Sequence, residues 1–283
     1  LSTDPSKSHS FVQVYDSDTE QVHFHRFPPE AFSSSRDDFQ IQFGSNTFST
    51  DMISLNIDVV IGQISGELTF SNQIPWPVRF HSPGAMGWFA WVPFMECYHG
   101  ILSMDHLIQG QLNYEGNPLD FSGGRGYREK DWGKRFPSAW IWGQCNHFPD
   151  PGVSVTFSVA VIPWVGLSFT GFIIGFLHDG VLYRFTTYLN ARIEDLIYDE
   201  QEITLVIRNK SHRLHIHALR SKGGFLQAPT LNEMDRRIIE TINSRVEIRF
   251  ETISGELIYE GVGQHAGLEV VGDLEKLLAI THR

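Results

Sequence analysis

The chain has 283 residues and a formal net charge of −11, from 22 basic and 33 acidic side chains. Such an acidic balance excludes a nucleic acid as the expected partner, because phosphates require a basic protein face. The length accommodates one large β domain or two smaller ones. Cys97 and Cys145 lie in separate apolar runs, so neither a disulfide framework nor a zinc site is predicted.

The first residues, 1–10, are polar and contain the turn signal Asp4-Pro5. They lack the charged and apolar runs of a signal or transit peptide, so the expected location is cytoplasmic, with a peripheral position at a membrane as a second expectation. The chain opens at Leu1 rather than Met. The sequence is therefore compatible with an additional upstream segment.

Apolar residues with a period of two follow, and this period predicts antiparallel strands. Residues 11–15 and 22–27 predict a hairpin, and residues 53–61 show the clearest alternation. The segment 75–93 is rich in Pro, Gly and Trp, which predicts a long shaped loop. Its rings would line the mouth of a pocket or cover the end of a barrel. Glu96 then alternates with aromatic residues. It is expected either to be exposed at the edge of the fold or to be buried with a shifted pKa.

The run Pro149-Asp150-Pro151-Gly152 is a strong breaker, and it separates a predicted domain of residues 1–148 from one of residues 149–283. Residues 161–177 carry no charge but contain Pro and Gly. They favour two apolar strands joined by a turn over a transmembrane helix. A lip that touches a membrane transiently to load a lipid is the alternative.

One or two short helices are predicted near the C-terminus. Thr230 and Glu233 form a capping box, and apolar residues recur at helical spacing behind them, which predicts a helix at about 230–244. A second helix is predicted to begin at Asp273 and to bury Leu274, Leu277 and Leu278.

The most informative stretch is 123–148. Its second half is predicted to be a strand, in which Trp140, Trp142, Gln144 and Asn146 point to one face. Buried amides need hydrogen-bond partners, so two indoles followed by two amides are unusual for a plain core. This face suits a wall that stacks on a flat apolar ligand and binds its polar end.

The charged first half of this stretch has two interpretations. In an extended chain Tyr127, Glu129 and Asp131 share one face, and Arg128 and Lys130 take the other. A carboxylic acid set against aromatic rings would be able to give a proton to a ligand if burial raised its pKa. Alternatively, mixed charges pair across a hairpin and face water, and spacing alone favours this second interpretation.

The run Gly-Tyr-x-Glu-Lys-Asp-Trp-Gly-Lys-x-Phe-Pro-x-x-Trp-Ile-Trp-x-Gln-x-Asn-x-Phe at 126–148 resembles the signature of tocopherol cyclases and their bacterial relatives. Residues 87–100 and 266–272 agree with the same family, so the resemblance covers nearly the whole chain. It implies an all-β fold of two lipocalin-like antiparallel β-barrel or sandwich halves, related to carotenoid hydratases. The two helices predicted above would be additions to that fold.

The resemblance also implies a reaction that needs no bound redox cofactor. An acid protonates a trisubstituted double bond of a prenylated hydroquinone, and the phenol oxygen captures the cation to close a ring. Glu129, Asp131 and Glu96 are the candidate acids. The candidate substrate-binding residues carry rings or amides: Trp88, Trp91, Tyr98, Tyr127, Trp132, Trp140, Trp142, Gln144 and Asn146. The sequence has no phosphate-binding glycine loop, dinucleotide fingerprint or metal-ligand cluster, so neither a cofactor nor a metal is expected.

Two other functions are compatible with these residues. A lipocalin-like carrier would bind an apolar ligand without turnover, and an isoprenoid hydratase would let water capture the cation. In every case the expected partner is an apolar small molecule, either a prenyl quinol or another isoprenoid. An acid buried inside the aromatic cavity would favour an enzyme over a carrier.

Overall fold

The structure is a computed structural model that describes residues 5–58, 62–228, 234 and 236–281. Antiparallel strands dominate these residues, as the alternation predicts. The strands up to Gly133 are β1 Ser10–Asp16, β2 Gln21–Phe27, β3 Phe32–Ser34, β4 Gln40–Phe43, β5 Asn46–Ser49, β6 Met52–Ile57, β7 Ile64–Ser71, β8 Val78–Arg79, β9 Ser82–Pro83, β10 Cys97–Tyr114, β11 Asn117–Asp120 and β12 Arg125–Gly133.

The later strands are β13 Trp140–Cys145, β14 Ser154–Trp164, β15 Leu167–His178, β16 Val181–Thr186, β17 Arg192–Tyr198, β18 Glu202–Arg208, β19 His212–Leu219, β20 Gly224–Ala228, β21 Arg236–Thr252 and β22 Leu257–Val271. Short 3-10 helices lie at Pro5–Lys7, Pro29–Ala31, Gly87–Trp91 and Thr187–Leu189, and helix α1 spans Leu274–Thr281. Among the described residues, no helix has the length and apolar character needed to cross a bilayer.

The first large sheet contains β3 to β7 and β10 to β12, with β10 paired to β7, β11 and β12. Its long strand β10 passes close to β7 at two glycines, Gly66 (φ +131°) and Gly110 (φ +125°). A Cβ atom at either position would collide with a carbonyl oxygen of the opposite strand. Glycine is required there because other residues rarely adopt this φ and would not fit.

The second large sheet runs in the order β16-β15-β14-β13-β22-β21-β19-β18-β17, with β20 also paired to β21. Its inner face buries a continuous apolar core that includes Phe157, Phe176, Ile216 and Phe250. Because β12 pairs with β10 and β13 pairs with β14 and β22, the chain passes from the first sheet to the second between Gly133 and Trp140. The domain division at residues 148 and 149 stays a prediction.

The two sheets contact each other through a separate apolar cluster. Trp76 and Met104, from the side of the first sheet, pack with Leu177 of β15, and all three side chains are buried. The hydroxyl of Ser154 donates a hydrogen bond to the carbonyl oxygen of Met104 over 2.7 Å. This contact holds the start of β14 against the middle of β10 and so sets the distance between the sheets.

The helix predicted at 230–244 is wrong over its second part, because residues 236–252 form strand β21. Residues 229–233 and 235, including the capping box, lie outside the described residues. Ile238, Ile239 and Ile242 favour a strand because they are β-branched. Pairing with β20 on one side and β22 on the other satisfies the backbone, and Ile238 packs against Trp140.

Other local predictions are confirmed. Residues 10–27 form the β1–β2 hairpin, and the uncharged run forms β14 and β15, joined by a turn at Val165 and Gly166. Helix α1 begins at Leu274 and buries Leu274 and Leu277; the side chain of Leu278 lies outside the description. The all-β fold class therefore holds.

Asp105 is a buried charge on which the first sheet depends. Its carboxylate is fully buried and accepts a hydrogen bond from Arg125 Nε over 2.9 Å. We expect Asp105→Asn to lower the free energy of unfolding by about 3 kcal/mol, since it leaves the guanidinium without its counter-charge. Urea unfolding followed by circular dichroism measures this change.

Glu96→Gln is the matched control for Asp105→Asn. Glu96 pairs with Arg135, whose side chain is half exposed. Exposed ion pairs contribute at most about 1 kcal/mol, so this variant should retain nearly all of its stability. Equal losses in the two variants would contradict the role assigned to Asp105.

Candidate active site

A cavity of about 250 Å³ is lined by residues of both large sheets. Strands β10 and β12 contribute one wall, and β13 to β15 and β22 contribute the opposite wall. Most of the lining is apolar or aromatic, with one imidazole and three carboxyl groups among it: His99, Glu129, Asp131 and Glu269. Ionisable groups in a mostly apolar cavity are candidates for function, because such surroundings shift their pKa values.

Glu129 reaches this cavity because β12 is extended and alternates its side chains. Its Oε2 accepts a hydrogen bond from the Tyr127 hydroxyl over 2.6 Å and another from Trp142 Nε1 over 3.2 Å. The Tyr127 hydroxyl also lies 3.1 Å from Thr156 Oγ1 of β14. Glu129 therefore binds groups of both sheets, and the 24% of its side chain that remains accessible borders the cavity.

Two basic residues of β12, Arg128 and Lys130, lie on its other face. Arg128 donates to the carbonyl oxygen of Ser49 over 2.8 Å, and its guanidinium lies 4.8 Å from the centre of the Phe70 ring. Lys130 Nζ lies 5.0 Å from the centre of the Trp132 ring. The alternation predicted for this segment is thus present, and it directs the acids rather than the cations to the cavity.

His99 of β10 is the partner of both acids. Its Nδ1 lies 2.7 Å from Asp131 Oδ1, and its Nε2 lies 3.7 Å from Glu129 Oε2. Burial lowers the pKa of His99, but the charge of Glu129 and the hydrogen bond and charge of Asp131 outweigh burial and raise that pKa to about 9. His99 is therefore an imidazolium at neutral pH, and its Nδ1–H donates to Asp131.

Burial also raises the pKa of Glu129. The positive charge of His99 opposes this shift, the negative charge of Asp131 adds to it, and the hydrogen bonds from Tyr127 and Trp142 reduce it. The net effect is a raised pKa, so Glu129 holds its proton more readily than an exposed glutamate does. Because Glu129 and His99 interact closely, the protonation of one depends on that of the other.

His99, Glu129 and Asp131 also offer three potential metal ligands, since one ligand atom of each lies within 4.8 Å of the others. Carboxylate and imidazole donors suit a divalent cation. The same atoms already form hydrogen bonds: Asp131 binds His99, and Glu129 accepts from Tyr127 and Trp142. The expectation that no metal is needed stays a prediction.

A second acidic group faces the cavity from β22. Glu269 Oε2 accepts a hydrogen bond from Trp140 Nε1 over 2.6 Å, and Glu240 lies directly opposite Glu269 on β21. Burial raises the pKa of Glu269 to about 7, although the Trp140 hydrogen bond opposes the shift and the charge of Glu129 adds to it. Burial and the charge of Glu269 raise the pKa of Glu240 to about 8.

Sequence reasoning missed His99, Glu240 and Glu269. One sequence signal could have identified Glu269: it is an acid between Leu268 and Val270, in the apolar run 266–272 that resembles the family. The two glutamates are 29 positions apart in the chain and meet only through the pairing of β21 with β22. Predicting such a pair from the sequence requires the register between the two strands.

The structure brings part of the predicted site together. Glu129, Asp131, Trp140 and Trp142 line the cavity, and Tyr127 contacts it through its hydrogen bond to Glu129. Both indole N–H groups of the predicted aromatic wall are bound to carboxylates. Their ring faces are thereby held in fixed orientations along the cavity.

The remaining predicted residues lie outside the cavity lining. Glu96 pairs with Arg135, and Tyr98 stacks on Trp132 with ring centres 5.3 Å apart. Trp88 and Trp91 are exposed on the 3-10 helix Gly87–Trp91. Gln144 is half-buried and Asn146 is buried; within the described chain, their amide nitrogens have no hydrogen-bond partner.

The sequence matches a family model described as tocopherol cyclase-like over residues 13–272. The chain belongs to this tocopherol cyclase-like family. It is 28% identical over 198 residues to the tocopherol cyclase, chloroplastic, of Zea mays, an alignment that covers 66% of this chain and 41% of the maize protein. It is also 28% identical over 200 residues to the probable tocopherol cyclase, chloroplastic, of Oryza sativa subsp. japonica, covering 66% of this chain and 42% of the rice protein. The matched part thus spans about two fifths of each relative.

The raised pKa of His99 predicts a pH-dependent stability. Because the folded-state pKa of about 9 exceeds the unfolded value, the imidazolium contributes fully below about pH 6.5, and this contribution is lost as the pH rises through 9. We expect His99→Gln to cost up to about 3 kcal/mol of unfolding free energy at pH 6.5, and less at pH 9.5. Urea unfolding at several pH values tests this, and a difference that is constant with pH would contradict it.

Proposed function

We propose that this protein catalyses the cofactor-free, acid-catalysed cyclisation of a prenylated hydroquinone or a related isoprenoid, an intramolecular lyase or isomerase reaction. The observation that carries the proposal is the half-buried carboxyl group of Glu129, hydrogen-bonded to Trp142 at the wall of an apolar cavity. A carrier would need the apolar walls but would gain nothing from buried acids, which cost free energy to desolvate. Membership of the tocopherol cyclase-like family supports the same reaction.

The cavity walls suit a ligand with a long apolar chain. Rings of Phe89, Phe136, Phe169 and Phe172 line it together with the two tryptophans of β13. Aromatic faces attract a cation by about 1 kcal/mol or more each when water is excluded. Trp140 and Trp142 would stabilise the carbocation that forms after protonation, and the apolar walls would keep water from capturing it.

Glu129 is the proposed proton donor. Its Oε2 accepts both hydrogen bonds, which leaves Oε1 to hold the proton and present it to the double bond. Burial favours the neutral acid, and the neighbouring imidazolium of His99 stabilises the carboxylate left after proton transfer. Asp131 positions His99 through the 2.7 Å hydrogen bond.

Ring closure must also release a proton, and Glu269 is the proposed acceptor. The proton of Glu129 adds to one carbon of the double bond, the phenol oxygen bonds to the other carbon, and the phenol O–H bond breaks. The phenol proton passes to the Glu269 carboxylate, so atoms and charge balance without a redox partner. With a pKa of about 7, Glu269 is partly ionised at neutral pH and able to accept it.

Glu129→Gln tests the donor. We expect this variant to lose at least about 100-fold in kcat, because a general acid contributes about 10² to 10⁴ in rate and an amide has no acidic proton to give. Conversion of a prenylated hydroquinone to a chromanol, followed by chromatography and mass spectrometry, measures the rate. Substrate affinity from tryptophan fluorescence should change little.

Glu96→Gln is the control for this substitution, since it is the same chemical change outside the cavity and should keep full activity. The assay is repeated with a chelator to separate acid catalysis from metal catalysis. An active Glu129→Gln variant, or activity abolished by the chelator, would overturn the role of Glu129. Ligand binding without turnover by the parent protein would favour the carrier.

Glu269→Gln tests the acceptor. The parent enzyme should lose activity as the pH falls through about 7, because the acceptor must be ionised. Glu269→Gln should lower kcat about 100-fold and remove this limb of the pH–rate profile. Glu240→Gln keeps the acceptor and should retain the limb; a profile that survives in Glu269→Gln would exclude Glu269 as the base.

A further inference from the structure

Five large apolar side chains are exposed in the loops between β8 and β10 and at the turn of the β14–β15 hairpin. Phe80 is 90% exposed, Leu167 80% and Val165 79%, and Trp91 and Phe94 are more than half exposed. We call these five residues the apolar rim. Single exposed apolar residues are ordinary, but a contiguous group of this size marks an interaction surface.

Ring contacts join the elements that carry the rim, and Trp88 of the 3-10 helix lies 6.1 Å from Trp164 of the β14–β15 hairpin. Phe80 and Trp91 lie with ring centres 6.0 Å apart, and Trp91 Nε1 donates to the carbonyl oxygen of Phe80 over 3.0 Å. Phe94 lies 5.6 Å from Trp164, which precedes Val165 at the tip of the β14–β15 hairpin. The rim thus extends from the β8–β9 turn across the 3-10 helix to this hairpin tip.

The rim is continuous with the cavity. Phe89 and Phe169 line the cavity, and their rings lie 5.7 and 6.1 Å from that of Trp164. Trp164 in turn contacts Phe94 of the rim. An apolar ligand moving from the rim to the cavity would therefore remain in contact with aromatic rings.

The charge around the rim differs from that of the chain as a whole. Residues 74–95 and 160–177 contain no acidic side chain, although the net charge of the protein is −11. The first segment contains Arg79, and the nearest acid after it, Glu96, is paired with Arg135. These two rim-bearing segments therefore contribute no negative charge that an anionic phospholipid surface would repel.

We propose that the apolar rim inserts into the surface of a lipid bilayer and that the cavity takes its apolar ligand directly from the membrane. The shape favours lipid over a protein partner, because Phe80 and the Val165–Leu167 tip belong to two separate hairpins that carry bulky apolar side chains. Tryptophan beside phenylalanine suits the boundary between head groups and acyl chains. This docking is independent of whether the bound ligand is turned over.

Flotation with phosphatidylcholine vesicles tests the proposal. The parent protein should float with them in 0.5 M salt (about 3–5 Å Debye length), because apolar insertion does not depend on charge. Phe80→Ser with Leu167→Ser should lower the partition coefficient at least about tenfold, since each side chain loses apolar area buried in lipid. Quenching of tryptophan fluorescence by brominated lipid should fall in parallel.

The control is Ile197→Ser with Phe225→Ser, two residues that are also more than half exposed but lie on β17 and β20. This variant should float like the parent protein. Failure of the parent protein to float, or an equal loss in both double variants, would overturn the proposal. Flotation only with anionic lipid and only at low salt would also overturn it, since that result indicates charge rather than insertion.

Discussion

The hydrogen bond from Trp142 to Glu129 is the contact on which the arrangement of the cavity depends. Glu129 belongs to the first sheet and Trp142 to the second, and the chain crosses between these sheets in the six residues 134–139. So short a connection keeps the end of β12 near the start of β13. The Tyr127 contact to Thr156 and the Ser154 contact to Met104 join the sheets again. These contacts hold the Glu129 carboxyl group in a fixed position against the Trp142 indole.

Charge is distributed over the cavity in two groups. His99, Glu129 and Asp131 line the wall of the first sheet, and Glu269 lines the wall of the second, with the two indoles between them. Glu240 lies opposite Glu269 on β21, behind this lining. Burial raises the pKa values of Glu129, Glu240 and Glu269, whereas the neighbouring acids, against the effect of burial, raise the pKa of His99. A reaction that takes a proton in at one point and releases one at another requires this separation. A single acid would have to perform both steps.

Apolar side chains line the cavity and also cover the surface beside it. Phenylalanine and tryptophan line the cavity, and aromatic and aliphatic side chains continue from it to the exposed hairpin tips. This arrangement leaves apolar side chains exposed to water at the hairpin tips. The segments that form these tips contain no acidic residue. In the proposed function, the same apolar side chains would admit a lipid-soluble ligand and protect a carbocation from water.

The sequence alone determined the β class, the alternation of β12 and β13, and the family resemblance, because a period of two assigns faces without any partner strand. It also predicted Glu129, Asp131, Trp140 and Trp142 as site residues, and these four line the cavity. Helical spacing misled over residues 236–244, where apolar residues also fit a strand and pairing with β20 and β22 decided the outcome. Only tertiary structure paired Glu96 with Arg135, outside the cavity, and set His99 between two acids. It also placed Glu240 opposite Glu269, because strand register and sheet contacts join residues that are distant in the chain.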